Sequence, residues 1–121
     1  MSRENATINM VIAALGGEGG GVLTNWLIAA AERSGWWCQS TSLAGVAQRT
    51  GATIYYLEFM PREEGMRPPV MSLFPAQGDI DIAVASEIAE AGRMISRGFI
   101  SPDKSILIAS DHRVFGITEK S

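Results

Sequence analysis

The stretch Ile8–Gly21, INMVIAALGGEGGG, decides the fold of this chain. Its first part, Ile8–Leu15, is a short and nearly continuous apolar run, which is typical of a strand buried on both faces of a parallel sheet. The glycines that follow end the strand. The next segment, Val22–Arg33, is rich in alanine and leucine, carries charge in its last turn and is followed by Gly35. This pattern predicts a helix with a glycine stop.

The rest of the chain continues the alternation of strands and helices. Four further strands are predicted from short apolar or β-branched runs: Trp36–Ser42, Ala52–Met60, Asp79–Ala85 and Ser105–Ala109. The first two strands are far enough apart for a β-α-β crossover, which is right-handed by rule. Ser86 can cap a helix that runs to about Arg97, and the proline-containing segment Arg62–Gly78 should be an exposed connection. The sequence therefore predicts a Rossmann-like, three-layer α/β/α fold with an open, mostly parallel sheet of about five strands.

Composition and charge narrow the class of protein. The chain has 121 residues, 46% of them hydrophobic, which suits one domain over residues 1–121. The net charge is −3 and the basic residues are scattered, so we expect no nucleic-acid partner. The polar start and the lack of a long apolar run predict a cytoplasmic protein without a membrane segment. The chain stops soon after the fifth strand, without the helix that would cover it, so we expect a domain truncated at its C-terminal end.

The glycine-rich loop after the first strand is the first candidate site. It holds five glycines and one glutamate: Gly16, Gly17, Glu18, Gly19, Gly20 and Gly21. Backbone N–H groups of such a loop, at the start of a helix, can hold a phosphate or a carboxylate. The loop lacks the G-x-G-x-x-G pattern, and Gln39–Leu43 has no acidic residue for a ribose, which disfavours a stand-alone dehydrogenase. The alternative is a turn whose glycines only allow close helix–strand packing or subunit contact.

A second candidate loop, Leu43–Thr53, follows the second strand and should lie at the same sheet edge as the glycine loop. The Arg49 guanidinium can form bidentate bonds with a carboxylate or a phosphate, and Gln48 can both donate and accept hydrogen bonds. Gly45 and Gly51 allow a tight backbone path. The alternative is an arginine that is solvated or paired within the chain.

Other residues near this edge have candidate roles. His112 could act as an acid or base near neutral pH, with a structural or solvated histidine as the alternative. Ser86 and Glu87 could reach a ligand or cap the next helix, and capping is the simpler interpretation. Cys38, inside a strand, is expected to be inert. A domain this small cannot readily cover three indoles, so we expect core or subunit-interface anchors and an oligomer. The tryptophans are Trp26, Trp36 and Trp37.

Three segments together resemble a known family. They are LGGEGGGVLT at Leu15–Thr24, AGVAQRTGAT at Ala44–Thr53 and DIDIAVASE at Asp79–Glu87. The set is similar to the gamma-type domain of 2-oxoacid:ferredoxin oxidoreductases, and within that family most similar to the indolepyruvate oxidoreductase beta subunit. The family pattern, G-x-G-G-Q-G-V and then H-G-M-A-Q-R-G-G, is matched at Gly16, Gly17, Gly19, Gln48, Arg49 and Gly51. Two extra glycines and the residues Glu18, Leu43 and Thr50 depart from it, which resembles a branch in which the domain begins a longer fused chain.

The resemblance implies a subunit or domain of a complex that oxidatively decarboxylates an aryl 2-oxoacid, such as indolepyruvate, to an acyl-CoA with ferredoxin as acceptor. It implies that thiamine diphosphate, magnesium and iron–sulfur clusters lie in partner subunits or domains, and that this chain has no catalytic residue and no cofactor of its own. The two loops, with Ser86 and Glu87, would bind CoA or contact the thiamine-binding subunit. The rival hypothesis is a non-catalytic nucleotide-binding or regulatory α/β module.

Overall fold

Strands and helices alternate along the chain, as the sequence predicts. The computed structural model describes residues 7–15, 19–43, 52–62, 65 and 78–110, apart from the side chain of residue 43. Within these residues the strands are β1 (Ile8–Leu15), β2 (Trp36–Leu43), β3 (Ala52–Pro61), β4 (Ile82–Ala85) and β5 (Ile106–Ala109). The helices are α1 (Gly20–Arg33) and α2 (Ile88–Ser96). Neither helix is long and apolar enough to cross a bilayer. Most of the expected connection Arg62–Gly78 lies outside the described residues.

The first strand and helix form where the sequence predicts them. β1 has the expected bounds and a neighbouring strand on each side, and the side chains at its centre are buried under the two helices. α1 begins at Gly20, two residues before the expected start, and ends at Arg33. Gly35 follows with a φ of 82°, a left-handed conformation that favours glycine and stops the helix as expected.

The sheet has the strand order β2-β3-β1-β4-β5. β3 pairs antiparallel with both β1 and β2, whereas β4 pairs parallel with β1 and with β5. Four strands therefore run in one direction, and the prediction of a mostly parallel α/β sheet is confirmed. The β-α-β crossover from β1 to β2 is present, but β3 lies between these two strands. A short connection such as residues 44–51 is enough for antiparallel pairing, so β3 folds back on β2 and takes the position next to β1.

The two helices cover opposite faces of the sheet. Val11 and Ala13 of β1 lie in a buried cluster with Ala91 and Met94 of α2. Ile12, on the other face of β1, belongs to a cluster to which Leu23, Leu27 and Ile28 of α1 contribute. This alternation of side chains along β1 gives the predicted α/β/α layering.

The last two strands are shorter than the sequence predicts. β4 begins at Ile82 instead of Asp79, because the Asp81 carboxylate accepts a hydrogen bond from the backbone N–H of Asn9 (2.8 Å) beside the start of the ladder. β5 is an edge strand, and Ile106 and Ile108 are 60% and 55% exposed. Their register partners in β4 lie on the face where α1 packs, but α1 packs mainly on β1, β2 and β3. No helix in the described part of the chain covers β5 on this face.

A polar network closes the edge of the sheet where β1 begins. The Asn9 carboxamide, which is buried, donates to the Asp79 backbone oxygen (3.0 Å) and to its carboxylate (3.1 Å). The Lys104 ammonium lies 2.9 Å from Asp79 and 3.6 Å from Asp81. The Asp79 hydrogen bond raises the pKa of Lys104. These contacts fix the segment that enters β4.

Candidate functional site

The candidate site is the sheet edge at which β1, β2, β4 and β5 end. Because these four strands run in the same direction, the segments that follow them all leave from this edge. The glycine-rich loop follows β1, and the segment with Gln48 and Arg49 follows β2. Both predicted loops therefore start from the edge that binds ligands in open α/β folds.

The glycines at the start of α1 have two different reasons to be glycine. Gly19 is the N-cap of α1 with a φ of 81°, and no side chain caps the helix. Gly20 has no room for a side chain, because a Cβ there would lie 2.7 Å from the Ala14 Cβ and 2.8 Å from the Tyr55 ring. Close packing of helix and strand therefore explains Gly20 in full. The other members of the loop, residues 16–18, lie outside the described residues.

The strand ends that bound the two loops are paired with each other. Leu15, the last residue of β1, is the register partner of Ala52, the first residue of β3. The described strand ends that adjoin the two loops, Leu15 and Ala52, are therefore neighbours in the sheet. Gln48, Arg49, Thr50 and Gly51 themselves lie outside the described residues, so their predicted roles stay predictions.

Ser86 and Glu87 lie at this edge, directly after β4. The Ser86 backbone N–H donates to the Ala13 oxygen (2.9 Å), and the Ser86 hydroxyl accepts from the Leu15 N–H (3.3 Å). The expected capping of α2 by Ser86 is wrong, because Glu87 is the N-cap residue and makes no side-chain capping bond. Ser86 is instead used to hold the end of β1. Glu87 is buried, which places a carboxylate within this edge.

A cavity that the sequence did not suggest lies beside the start of α1. Its volume is about 320 Å³, and we call it the hydroxyl cavity. It is formed by α1, the end of β2 and the first half of β3, with these lining residues: Gly21, Thr24, Asn25, Ser40, Thr41, Ser42 and Tyr55. Serine and threonine are common in strands and helices, so no sequence signal marks them as facing a cavity.

A second, apolar groove lies at the other end of α1. Its volume is about 250 Å³, and its lining is almost entirely hydrophobic, with Leu27, Trp36 and Phe59 among its residues. It lies away from the sheet edge at which the loops leave. It therefore does not contribute to the candidate site.

The remaining residues that the sequence singled out are spread over the fold. Cys38 lies on the edge strand β2 and is half-buried, and burial followed by the Glu32 carboxylate raises its pKa to about 11. This agrees with an inert thiol. Trp36 packs against the core, and the Arg62 guanidinium lies 4.1 Å from the centre of the Trp37 ring. Trp26 is 70% exposed on α1, as an interface residue would be. His112 lies outside the described residues.

The donor groups needed for an iron–sulfur cluster or a metal ion do not come together in the described part of the chain. No group of three or more His, Cys, Asp or Glu side chains there could hold a metal ion. The full sequence contains one cysteine, whereas cluster sites use several thiolates.

Comparison with protein families gives one match over almost the whole chain. Residues 9–120 match the family described as "Pyruvate ferredoxin/flavodoxin oxidoreductase". A comparison with curated protein sequences gave no match.

Two solved structures share the fold. The pyruvate oxidoreductase subunit PORC of Thermotoga maritima superposes with a TM-score of 0.59 at 19% identity, over 91% of this chain and 53% of that one. The 2-oxoglutarate:ferredoxin oxidoreductase of Magnetococcus marinus, solved with 2-oxoglutarate, coenzyme A and succinyl-CoA bound, gives a TM-score of 0.56 at 15% identity. That match covers 86% of this chain and 19% of the other. This chain thus spans about half the length of the first protein and a fifth of the second.

Proposed function

Since the chain belongs to the pyruvate ferredoxin/flavodoxin oxidoreductase family, we propose that it is a non-catalytic, gamma-type component of a 2-oxoacid:ferredoxin oxidoreductase. The complete complex would decarboxylate a 2-oxoacid oxidatively to an acyl-CoA and pass the electrons to ferredoxin. The aryl 2-oxoacid indolepyruvate is the proposed substrate. The observation that carries the proposal is the family match over residues 9–120.

Partner subunits or domains would supply the chemistry of this reaction. A four-thiolate cluster needs more cysteines than this chain has, and no metal-binding group is present among the described residues. Thiamine diphosphate with its magnesium ion, and the iron–sulfur clusters, are therefore assigned to the partners. When bound there, thiamine supplies the carbanion chemistry of decarboxylation.

The role proposed for this chain is to assemble the complex and to help bind CoA. Support comes from the backbone pairing of Leu15 with Ala52, because the glycine loop begins after Leu15 and the Arg49 segment ends before Ala52. Gly19 is the N-cap residue of α1 and contributes no capping side chain. The N-terminus of a helix favours the binding of anions. The Arg49 guanidinium would add a positive charge for a CoA phosphate.

Enzyme assays on the isolated chain and on the complex test this proposal. The isolated chain should give no turnover of indolepyruvate with CoA, thiamine diphosphate and a redox dye. The complex of this chain with the remaining polypeptides should turn over indolepyruvate under the same conditions. In the complex, Arg49→Met should raise the KM for CoA by about tenfold, because a charge-assisted hydrogen bond is lost. Turnover by the isolated chain would show that the assignment of roles is wrong.

A calorimetric titration separates this function from a nucleotide-binding module. Tight binding of ATP or NAD that depends on Arg49, without affinity for CoA or for a thiamine-containing partner, would favour that rival. Binding of CoA, or of the thiamine-containing partner, would favour the oxidoreductase component.

A further inference from the structure

The hydroxyl cavity holds a buried polar atom that the protein does not satisfy. Thr24 is 4% exposed, and its hydroxyl oxygen has no hydrogen-bond partner in the part of the chain that the structure describes. Thr24 also lines the cavity. A buried hydroxyl without a partner is destabilising, so it is uncommon in native proteins unless another molecule binds to it. An atom placed in the cavity would complete this hydrogen bond.

The other lining side chains indicate which kind of atom this is. Ser40, Ser42 and Tyr55 offer hydroxyl groups, and Asn25 offers a carboxamide. Hydroxyl and carboxamide groups can both donate and accept hydrogen bonds. Among the lining residues that the structure describes there is no Asp, Glu, Lys, Arg or His. A charged group in the cavity would meet no opposite charge among these residues, so an uncharged group is the better fit.

The cavity differs in position from the anion-binding end of α1. The free N–H groups of a helix belong to its first turn and point beyond its end. Thr24 and Asn25 are one turn further along α1, which begins at Gly20, and they face strands instead of the helix end. An anion at the helix end and a neutral group in the cavity would therefore occupy adjacent but separate places.

We propose that the hydroxyl cavity binds an uncharged group that carries hydroxyl or amide functions, with Thr24 and Tyr55 as its hydrogen-bonding contacts. The proposal deepens the proposed function and rests on it for the identity of the molecule that carries this group. CoA contains two parts with this chemistry, the ribose of its adenosine and the amides and hydroxyl of its pantetheine arm.

Isothermal titration calorimetry with adenosine and with pantetheine, used separately on the 121-residue chain, tests the proposal and distinguishes the two sources. One of them should bind, and Thr24→Val should weaken that binding about threefold to tenfold through the loss of one neutral hydrogen bond. Tyr55→Phe should weaken it similarly and keeps the ring that contacts Gly20. Thr7→Val, in a half-buried threonine just before β1, is the matched control and should leave the affinity unchanged.

Thermal unfolding separates binding from a structural effect. Without ligand, Thr24→Val should melt at the same or a higher temperature than the parent, because the change removes an unsatisfied polar atom. The ligand should then raise the melting temperature of the parent more than that of the variant. An equal rise in both would overturn the proposal.

Three calorimetric outcomes would also overturn it: neither probe binds at millimolar concentration, binding is unaffected by both variants, or inorganic phosphate binds in a manner that depends on Thr24. CoA binding to the complex that depends on Arg49 but not on Thr24 would refute this inference alone and leave the proposed function intact. Thr24-dependent binding of adenosine or pantetheine, by a chain that gives no active complex with its partners, would support this inference and refute the proposed function.

Discussion

At the scale of single residues, the contact between Gly20 and Tyr55 sets the distance between α1 and the sheet. The Tyr55 ring and Ala14 occupy the space that a side chain at residue 20 would need. The phenol oxygen of the same tyrosine lies 3.4 Å from the position of a Cβ at Gly21. Tyr55 thus both packs the start of the helix and borders the hydroxyl cavity.

We expect Gly20→Ala to destabilise the protein by about 1–3 kcal/mol, because the new methyl group overpacks this contact. Urea unfolding followed by tryptophan fluorescence measures the change. Gly92→Ala is the control: Gly92 lies in α2 with open space around it, and the variant should gain about 0.5–1 kcal/mol from helix propensity. Equal effects of the two variants would contradict the packing explanation.

The raised pKa of Cys38 predicts slow alkylation. With the pKa at about 11 instead of 9.0, the thiolate fraction at pH 8 is roughly hundredfold lower than in an unfolded chain. Iodoacetamide labelling followed by mass spectrometry should show this difference between native and urea-unfolded protein. The folded state also keeps this proton longer than the unfolded state, so stability should fall as pH rises from about 9 to 11. Similar labelling rates in both states would refute the prediction.

At the scale of elements, Ser86 joins β4 to the end of β1. Removal of its hydroxyl in Ser86→Ala should cost about 1 kcal/mol, because the Leu15 N–H loses its acceptor. Hydrogen exchange measured by NMR should show faster exchange at Leu15. Ser96→Ala, which removes an exposed hydroxyl bond to the Gly92 oxygen in α2, should change stability by less than about 0.5 kcal/mol. Unchanged exchange at Leu15 would exclude this role.

We expect Asn9 to stabilise the segment that enters β4 more than Lys104 does. Asn9→Ala should destabilise by about 2 kcal/mol, because it removes the hydrogen bonds that the buried Asn9 carboxamide donates to Asp79. Lys104→Met should cost less than about 1 kcal/mol and the loss should shrink in high salt, since this ion pair is largely exposed. Chemical denaturation at low and high salt distinguishes the two. A larger loss for Lys104→Met would reverse this order.

Local sequence patterns predict the positions of strands and helices well, but they do not predict which strands pair in the sheet. The apolar run of β1 and the glycine after α1 are local signals, and both were sufficient to place these elements. Nothing local shows that β3 lies between β1 and β2, since pairing depends on residues distant in sequence. The N-cap residue of α2 is Glu87 and not the predicted Ser86, because the Ser86 hydroxyl bonds to β1 instead.

The candidate site likewise combines features that local sequence signals predict with features that depend on long-range packing. Both loops begin at the same sheet edge because the strands before them run in the same direction. The alternation of strands and helices predicts this common direction. The hydroxyl cavity could not be predicted, because Thr24 and Ser40 are brought together only by the packing of α1 on the sheet.

At the scale of the whole molecule, the sheet has one apolar edge. Ile106 and Ile108 of β5 are largely exposed, and an exposed apolar edge strand favours association between chains. We expect the isolated chain to self-associate as its concentration rises, and Ile108→Lys to reduce this association. Sedimentation velocity measures it. Ile95→Lys, at an equally exposed isoleucine of α2, is the control and should have little effect. A chain that stays monomeric at all concentrations would contradict the prediction.

The position of β3 has a consequence for the order of folding. β3 pairs with both β2 and β1, and only β2 directly precedes it in the sequence, so we expect the β2–β3 hairpin to form before β3 pairs with β1. Residues 44–51 close this hairpin, so they control an early, local step, whereas the pairing of β1 with β3 spans much more of the sequence. Changes around Arg49 should therefore alter the rate of refolding as well as any affinity that this segment confers.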